Sequence, residues 1–392
     1  MLTLATLFPN ARQPRHGIFI ANRLAKMCDT GRIDATVVAA VPWFPGAYRE
    51  WTAVPHSETI LGMPVRHPRY LNVPAMGMRR QPDALARALL EDLQRAGLHA
   101  DRFDAIDAHY FYPDGVAAAR VARALGLPLV ISARGSDINL IGGMRFARQR
   151  MLLAAQRAQA LIAVSAALAA KMSSLGMPRE RIEVLRNGVD TSVFFPVARA
   201  AARQRLGLQS QDAWVLGVGN LVREKGFDLL IRAVAKIPDA RLLIVGEGPL
   251  GRSLRALAHG AAPGRVEFRD NMTQSDLRFA YAACNVLGLP SLREGWPNVV
   301  LESIACGTSV VAAPVGGVPE ILAGDAPALM VHARDADAWA AALTQMLARA
   351  PSPEDVHRYA LAFAWEEVIA AQCALYERVA LADASLRKRR PA

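Results

Sequence analysis

The sequence predicts an α/β protein made of two tandem Rossmann-like, doubly wound domains. Short apolar runs alternate along the chain with amphipathic stretches, which is the pattern of parallel strands covered by helices on both faces. The alternation stops at a polar, Ala/Arg-rich connection after Asp190 and starts again at Trp214–Val218. The length of 392 residues also exceeds one ordinary hydrophobic core and suits two domains.

The first domain is predicted to span residues 1–188. Its opening run, Leu2–Leu7, has no basic region before it, so we interpret it as a buried strand and not as a signal peptide. Helices are predicted at 18–28, 83–96, 115–125, 145–158 and 166–174. Further strands are predicted at Ala35–Val41, Ala105–Ala108, Leu129–Ser132, Leu161–Val164 and Ile182–Leu185.

The second domain is predicted to span residues 189–352. Its strands are predicted at Trp214–Val218, Leu242–Val245, Val266–Phe268, Val286–Leu289, Val310–Ala312 and Leu329–Val331. Residues 353–392 are predicted to form one or more C-terminal helices that pack back on the first domain and end in a basic tail. Ligands of such domains bind at the carboxyl ends of the strands, so we expect the active site in the cleft between the two domains.

Composition narrows the class of protein. No run reaches the roughly 18 apolar residues of a membrane span. The four cysteines, which are Cys28, Cys284, Cys306 and Cys373, form no CxxC pair. Neither a disulfide framework nor a zinc site is therefore expected, and a reducing cytoplasm fits.

The chain is strongly basic, with a formal net charge of +11. Phosphate-rich ligands and anionic lipid surfaces would both be attracted to such a field. No zinc-finger spacing, RNP-type aromatic run or basic helix pair occurs, so nucleic acid is not an expected partner. The basic tail 387–390 is most simply a solvated end. A cytoplasmic protein is expected, with peripheral attachment to the inner membrane face left open.

Two glycine-rich turns occur in the second domain. Gly246–Gly251 formally matches GxGxxG, and Glu267 follows about twenty residues later, which taken alone indicates an NAD site. This turn follows the second strand of its domain, however, whereas the dinucleotide fingerprint belongs to the first. The first turn instead carries Arg223 and Lys225 just before a predicted helix. Two cations and a helix N-terminus suit a diphosphate leaving group, although exposed cations on a turn remain the alternative.

Polar residues follow four successive strands of the first domain. They are His109, Arg134 with Asp137, Ser165 and Asn187. A lone histidine at a strand end is more often packed than chemically active. Four polar strand ends at one edge of a parallel sheet nevertheless favour a ligand site there, with Arg134, Asp137 and Asn187 on the acceptor side or in the cleft.

The segment EGWPNVVLE places two carboxylates, Glu294 and Glu302, around a loop-to-helix transition. Pro297 fits the first turn of a helix, and Gly295 allows close approach of the backbone to a ligand. One carboxylate can accept hydrogen bonds from sugar hydroxyls and the other from ribose hydroxyls, while free helix N–H groups face phosphates. The alternative is a solvated loop glutamate and a surface-helix glutamate.

Together, these motifs resemble family 4 of the retaining glycosyltransferases, which have the GT-B fold. The resemblance extends from FPNARQPRHGIF to EGWPNVVLESIACGTSVVAAPVGGVPEIL. It is strongest toward the branch that builds cell-surface polysaccharides such as teichuronic acid. It implies a hexosyltransferase that takes a nucleotide sugar, of UDP or GDP type, as substrate and uses no cofactor and no metal. The implied acceptor is a glycan or a polyprenyl-linked glycan.

The resemblance also implies roles for single residues. Glu294 would contact the hydroxyls of the donor sugar, and Glu302 the ribose. His109 would contact the sugar near the reacting carbon. Lys225 would hold the diphosphate, and Gly17 would let the opening loop approach the phosphates. The phosphates would also be held by backbone groups of Asn298, Val299 and Val300.

The chain departs from the family pattern at three places. Asn220 stands where an arginine is usual, so we nominate its neighbour Arg223 for the lost phosphate contact. His16 precedes Gly17 where a double glycine is common. Asp270 lies where a glycine is usual, in the region that would contact the base.

Three other functions remain as alternatives. One is a nucleotide-sugar epimerase of similar build, the second is an NAD-dependent oxidoreductase that uses Gly246–Gly251, and the third is a non-catalytic binding protein with a basic surface. Asp335-Ala336-Asp337 matches the Asp-x-Asp of metal-dependent transferases, but we interpret it as a cap at the start of a helix.

Overall fold

The computed structural model describes residues 1–74, 77–209, 211–349 and 351–388, and the chain divides into two units. Unit 1 contains Met1–Arg186 and the chain from Glu366 onward, and unit 2 contains Asn187–Trp365. The second boundary therefore falls at 365/366 and not at the predicted 352/353. The reason is that helix Pro353–Ala360 packs against helix Asn298–Ala305 and belongs to unit 2.

Unit 1 is built on an eight-stranded sheet with the order β10-β9-β8-β7-β1-β2-β5-β4, and β3 and β6 form a separate parallel pair. The strands are β1 (Leu2–Leu4), β2 (Thr36–Val38), β3 (Val41–Trp43), β4 (Ser57–Ile60), β5 (Met63–Arg66), β6 (Arg69–Leu71), β7 (Ile106–His109), β8 (Leu129–Ala133), β9 (Ala160–Ala163) and β10 (Ile182–Val184). Strand β4 pairs antiparallel with β5, while the other neighbours are parallel.

The hairpin β4–β5 and the pair β3–β6 were not predicted. The single strand expected at 35–41 is divided into β2 and β3, which lie in different sheets. The hairpin has four-residue strands, and Pro64 lies within one of them. Its turn is Leu61-Gly62, both at positive φ, and Leu61 lacks the Asn or Asp that usually marks such a turn.

The helices of unit 1 alternate with the strands of the sheet's parallel part, as predicted. They are α1 (Ile18–Asp29), α2 (Arg49–Thr52), α3 (Gln81–Arg95), α4 (Val116–Leu125), α5 (Ser136–Asn139), α6 (Arg145–Arg157) and α7 (Ala166–Ser174). The buried face of α1 contributes Ile20 and Leu24 to a core that includes Val37 and Val65. This packing holds α1 against β2 and β5.

Unit 2 has a six-stranded parallel sheet with the order β13-β12-β11-β14-β15-β16. The strands are β11 (Ala213–Val218), β12 (Ala240–Val245), β13 (Val266–Arg269), β14 (Val286–Leu289), β15 (Ser309–Ala312) and β16 (Ala328–Met330). The strand order reverses between β11 and β14. In open α/β sheets, ligands bind outside the carboxyl ends of the strands at such a switch point.

Helices separate the successive strands of unit 2. They are α8 (Arg199–Leu206), α9 (Phe227–Ala235), α10 (Gly251–Ala261), α11 (Gln274–Ala283), α12 (Asn298–Ala305), α13 (Val318–Ile321), α14 (Ala336–Arg349) and α15 (Pro353–Ala360). Helix α9 packs directly on the two central strands. A Cβ atom at Gly217 would lie 2.9 Å from the Phe227 ring, and one at Gly288 would lie 2.5 Å from Leu230. Glycine at both positions therefore sets how closely α9 approaches the sheet.

Helix α16 (Trp365–Lys388) follows α15, and from Glu366 onward it belongs to unit 1. Gln372, Cys373 and Tyr376 are buried. The predicted return of the C-terminal segment to the first domain is thus observed for α16 and not for α15. Among the helices in the described ranges, none combines the length and the apolarity that a bilayer crossing needs.

The glycines of Gly246–Gly251 pack against the first βα turn of the same unit. Gly246 has φ +149, and a Cβ there would lie 2.0 Å from the Gly219 carbonyl oxygen. A Cβ at Gly248 would lie 2.7 Å from the backbone of Leu221. The Leu221 N–H also donates to the Glu247 carbonyl oxygen at 2.8 Å. Contact between the two turns explains these glycines without a dinucleotide.

Replacement of Gly246 by alanine is expected to lower the free energy of unfolding by about 2 kcal/mol or more, because both φ and the Gly219 carbonyl oppose a Cβ. Gly260, which is exposed near the end of α10 with nothing within 4 Å of its Cβ position, is the control. Gly260→Ala should be neutral or stabilising by about 0.5 kcal/mol. Thermal unfolding of both variants tests this, and equal midpoints would contradict the packing argument.

Candidate functional site

Lys225 and Glu294 meet at the switch point of unit 2. Lys225 follows β11, Glu294 follows β14, and the Lys225 Nζ lies 2.7 Å from the Glu294 Oε1. The Ser291 hydroxyl donates to the same oxygen at 2.6 Å. No residue in the described part of the chain donates to the Glu294 Oε2. The carboxylate is therefore fixed in orientation by one oxygen, while the other stays available as an acceptor.

Glycines bring the loops of this site together. Gly226 has φ +67, and a Cβ there would lie 2.3 Å from the Pro290 carbonyl oxygen. Gly316 has φ +57, and a Cβ there would lie 2.1 Å from the Glu294 carbonyl oxygen. The loops after β11, β14 and β15 thus touch through their backbones. Side chains at either glycine would push Lys225 and Glu294 apart.

Further polar contacts join the same two loops. The Arg293 Nη2 lies 2.6 Å from the Glu224 Oε1, and the Leu292 N–H donates to the Glu224 carbonyl oxygen at 2.7 Å. Arg334 donates to the Pro290 carbonyl oxygen at 2.9 Å. The pair Lys225–Glu294 therefore lies in a cross-linked frame, although Glu224 and Arg293 are themselves partly exposed.

Helix α12 begins at Asn298, directly after Pro297, so Pro297 is the residue before the helix and not its first residue. The Val300 N–H already donates to the Pro297 carbonyl oxygen at 3.0 Å. Of the three backbone groups predicted to hold phosphate, Val300 is thus engaged in the first helical turn. For the backbone N–H groups of Asn298 and Val299, phosphate binding stays a prediction.

Asn187 lies in unit 2, although the sequence placed it at the edge of the first domain. Its Nδ2 donates to the Asn298 Oδ1 at 3.0 Å, and its carbonyl oxygen accepts the Trp296 Nε1–H at 2.9 Å. Only 5% of its surface is exposed. Asn187 therefore braces the turn that opens α12. The buried indole N–H of Trp296 needs a hydrogen-bond acceptor. The pattern of polar residues at strand ends could not show that Asn187 provides it.

Glu302 lies just over one turn inside α12, as predicted, and its Oε2 accepts the Tyr281 hydroxyl at 2.8 Å. Burial raises the pKa of Glu302 to about 7, an effect that the bond from Tyr281 partly offsets. Burial and the neighbouring carboxylate likewise raise the pKa of Tyr281. Glu302 is thus a carboxyl group poised between its two protonation states near neutral pH.

Three residues linked to the departures from the family pattern lie on the surface of unit 2. Arg223, Asn220 and Asp270 are all exposed. Arg223 lies in the same turn as Lys225, where an exposed guanidinium can reach a phosphate. Asp270 follows β13 at the carboxyl edge of the sheet. The phosphate contact proposed for Arg223 stays a prediction.

In unit 1, His109 ends β7 and is 2% exposed. Its Nε2 lies 2.8 Å from the Asp107 Oδ2, and its Nδ1 lies 2.5 Å from the Arg134 Nη2. Burial lowers the pKa of His109, and the positive charge of Arg134 lowers it further. Both ring nitrogens are thus engaged within the unit. A sugar contact by this ring would have to replace Arg134 at Nδ1, and that role stays a prediction.

The Asp137 carboxylate accepts hydrogen bonds from backbone N–H groups, and its predicted role near the acceptor substrate stays a prediction. Its carboxylate accepts the N–H groups of Phe111 at 2.8 Å, Arg134 at 3.1 Å and Gly135 at 2.8 Å. Asp137 is fully buried, and this burial raises its pKa. The residue therefore clamps the loops after β7 and β8 together. Arg134, by contrast, directs its guanidinium to His109.

Asp114 is a second clamp, which the sequence reasoning missed. It accepts both the backbone N–H of Thr6 at 2.5 Å and the Thr6 hydroxyl at 2.9 Å, and burial raises its pKa to about 7. The opening loop is held at its other end by Gly17. That residue has φ +66, and a Cβ there would lie 2.2 Å from the Leu7 carbonyl oxygen. Gly17 is thus required by the local packing of this loop.

The remaining site predictions have simple outcomes. Ser165 is the N-cap of α7, since its hydroxyl accepts the Leu168 N–H at 3.1 Å. Asp335 accepts the Ala338 N–H at 2.8 Å at the start of α14, which confirms the cap. Within the described ranges, no group of three or more His, Cys, Asp or Glu side chains is arranged to hold a metal ion.

The sequence reasoning did not identify Ser291 or Tyr281 as residues of the candidate site. Ser291 follows the end of β14, so the pattern of polar residues at strand ends that was applied to the first domain would have identified it.

Comparison with known proteins agrees with this geometry. The family model of Glycosyl transferases group 1 matches residues 198–362, and that of Glycosyltransferase Family 4 matches residues 21–193. A Bacillus subtilis (strain 168) glycosyltransferase named for teichuronic acid biosynthesis, TuaC, is 30% identical over 363 residues, which cover 88% of each chain. The epimerase and oxidoreductase alternatives have no support in these matches.

Solved structures show the same fold. Sucrose-phosphate synthase from Thermosynechococcus elongatus aligns with a TM-score of 0.80 at 20% identity, over 97% of this chain and 99% of that one. Anabaena HepE, solved in complex with UDP and glucose, aligns with a TM-score of 0.73 at 21% identity, over 95% and 98%. The fold is therefore GT-B, as the resemblance implied. The chain is a glycosyltransferase and belongs to glycosyltransferase family 4.

Proposed function

We propose that this protein transfers a hexose-type sugar from a UDP- or GDP-type donor to a hydroxyl group of a glycan or polyprenyl-linked acceptor in cell-surface polysaccharide synthesis. The observation that carries the proposal is the pair Lys225–Glu294 at the switch point of unit 2. The relationship to TuaC supports the polysaccharide class. The UDP bound in HepE favours a uridine donor over a guanosine donor.

Departure of the nucleoside diphosphate builds negative charge on the phosphate next to the sugar. An ammonium group has three N–H donors, and Glu294 takes one donor of Lys225. The remaining donors, the guanidinium of Arg223 and the N-terminus of α12 would stabilise that charge. No metal ion is required in this scheme, because cationic side chains and a helix dipole supply the positive potential.

Transfer would proceed with retention at the anomeric carbon. The bond from C1 to the phosphate oxygen breaks, and a bond from C1 to the acceptor oxygen forms on the same face. The acceptor proton passes to the departing diphosphate, so no protein base is needed. Glu294, held through its Oε1 by Lys225 and Ser291, would orient the sugar by accepting its hydroxyl protons at Oε2.

Calorimetric titration with UDP, GDP, ADP and NAD tests the donor assignment. We expect one nucleoside diphosphate to bind selectively, and the Lys225→Ala and Glu302→Ala variants to lose that binding. In a transfer assay, Glu294→Ala should lower kcat/KM by about a hundredfold or more, because the group that orients the sugar is gone. The anomeric configuration of the product, read by NMR, tests retention.

Lys236→Ala is the matched control for the lysine variant. Lys236 lies in the same unit and pairs with Asp337 at 2.7 Å, but its side chain is about half exposed and lies outside the site. It should bind nucleotide like the wild type. Normal turnover of Glu294→Ala with every donor tested would overturn the assignment, and so would binding of NAD alone.

Nucleotide binding should also depend on pH through Glu302. Its raised pKa, about 7, means that part of the population is protonated at neutral pH, whereas ribose hydroxyls prefer the carboxylate as acceptor. Affinity should therefore increase as the pH rises from about 6 to about 8, with release of a proton on binding. Glu302→Gln should remove this dependence. The phosphates of the nucleotide titrate equally in both experiments, so the difference between the two proteins isolates Glu302, and identical pH profiles would contradict the role.

We also infer peripheral binding to anionic membranes on the inner face of the cytoplasmic membrane. Arg79 and the exposed Arg80 lie beside the apolar residue Met78, and such a basic and apolar segment suits an anionic surface. Met76, the first residue of the apolar and basic segment Met76–Arg80, and residues 389–392 of the tail lie outside the described residues. Co-sedimentation should show binding to vesicles with phosphatidylglycerol but not to neutral vesicles, and Arg79→Glu with Arg80→Glu should weaken it. Equal binding to both kinds of vesicle would exclude the inference.

A further inference from the structure

The C-terminal helix α16 contacts the buried polar group around His109. The Tyr376 hydroxyl donates to the Asp107 Oδ1 at 2.6 Å, and the other oxygen of Asp107 lies 2.8 Å from the His109 Nε2. Tyr376 is 3% exposed, Asp107 1% and His109 2%. All three residues belong to unit 1. A chain of hydrogen bonds thus runs from the last helix of the protein to the imidazole at the end of β7.

The partners determine the tautomer of the histidine. A guanidinium has only donors, so the His109 Nδ1 must accept from Arg134. An ionised carboxylate can only accept hydrogen bonds. The His109 Nε2 must therefore be protonated, and its N–H donates a hydrogen bond to Asp107. Burial opposes ionisation of Asp107, but His109 and the bonds from His109 and Tyr376 outweigh it and lower the pKa of Asp107. The carboxylate therefore remains charged in an apolar surrounding.

The Tyr376 hydroxyl has a second hydrogen-bond partner on its own helix, in addition to Asp107. Its hydroxyl oxygen accepts the Gln372 Nε2–H at 3.4 Å, one turn earlier on α16. The Oε1 of Gln372 accepts the Nε–H of Arg23 on α1, and the Arg23 Nη1 donates to the Arg186 carbonyl oxygen at 3.1 Å. Arg23 is 1% exposed. Helices α1 and α16 are thus joined by buried polar contacts whose last member points to Asp107.

We propose that Tyr376 is a positioning residue for sugar transfer, acting through Asp107 to hold His109 in its Nε2–H tautomer and in a fixed orientation. The proposal rests on the proposed function and on the contact between His109 and the donor sugar that the family resemblance implies. Tyr376 lies beyond residues 21–193 and 198–362, which the two family models match. The helix that carries it would therefore contribute to the reaction as well as to the fold.

Among the described residues, the charged and titratable groups that act on His109 lie on or next to four elements. They are Asp107 on β7, Arg134 after β8, Arg23 on α1 and, behind Asp107, Tyr376 on α16. Without the hydrogen bond from the Tyr376 hydroxyl, the negative charge of Asp107 is less well stabilised and interacts more strongly with His109. The imidazolium form then becomes easier to reach, and the pKa of His109 should rise.

The test is the variant Tyr376→Phe, which removes one oxygen and keeps the ring. Release of nucleoside diphosphate from the nucleotide-sugar donor gives kcat and KM. We expect kcat to fall about tenfold, the effect of one hydrogen bond to a charged group, with KM for the donor within about twofold of wild type. The acidic limb of the pH profile of kcat should move to higher pH. In a His109→Ala background, Tyr376→Phe should have little further effect.

Tyr359→Phe is the matched control. The Tyr359 hydroxyl donates to the carbonyl oxygens of Ile321 and Ala323 at 2.7 and 2.8 Å in unit 2, away from the site. It should cost similar thermal stability and leave kcat and the pH profile unchanged. The proposal is wrong if Tyr376→Phe behaves like this control, or if its full effect on kcat persists when His109 is alanine.

An NMR titration makes the proposal testable even if no donor is turned over. The chain has eight histidines, and comparison with the His109→Ala spectrum identifies the ¹⁵N signals of His109. In wild type we expect the Nε2–H tautomer and a pKa below that of exposed histidines. Tyr376→Phe should raise this pKa, whereas Tyr359→Phe should not. A wild type without transfer or nucleotide release would refute the proposed function, while an unshifted titration of His109 in Tyr376→Phe would refute the positioning role by itself.

Discussion

The reversal of strand order between β11 and β14 is the constraint on which the proposed donor site depends. Because β11 and β14 are parallel neighbours at this reversal, the loops after them leave from the same edge of the sheet, and Lys225 lies next to Glu294. The loops can only meet if their backbones come within contact distance. Gly226 against Pro290 and Gly316 against Glu294 fulfil this condition. The strand order therefore determines where Lys225 and Glu294 lie, and the glycines allow the two loops to come close enough for the side chains to pair.

Unit 1 meets a different requirement at its own switch point, between β1 and β7. Its loops are tied together by buried carboxylates that accept backbone N–H groups, Asp114 for the loop after β1 and Asp137 for the loops after β7 and β8. A buried carboxylate is expensive unless it is fully hydrogen-bonded. Each clamp thus fixes the loop geometry strictly, because any displacement leaves an unpaired charge or an unpaired N–H in an apolar interior.

Local signals in the sequence were sufficient for the main strands and helices, while the donor-side roles of the predicted residues stay predictions. The parallel strands are apolar runs bounded by turns, and Lys225, Glu294 and Glu302 lie on or next to the motifs that identified them. The hairpin β4–β5 was missed because its strands are short and one contains a proline. Asn187 was assigned to the wrong unit, since the partner that decides its position, Trp296, is 109 residues away.

Long-range polar partners are the part of this site that a sequence pattern cannot supply. Tyr376 lies 269 residues from Asp107, and nothing in the periodicity of α16 distinguishes a tyrosine that donates to a carboxylate from one that fills a core. The same holds for the pairing of Glu302 with Tyr281. Burial raises the pKa of Glu302, and the hydrogen bond from the Tyr281 hydroxyl partly offsets that increase. In both units a tyrosine from a separate helix donates a hydrogen bond to a buried carboxylate at the predicted site, Tyr281 to Glu302 and Tyr376 to Asp107. The reactivity of the site is therefore a property of the tertiary structure, even though its location is a property of the motifs.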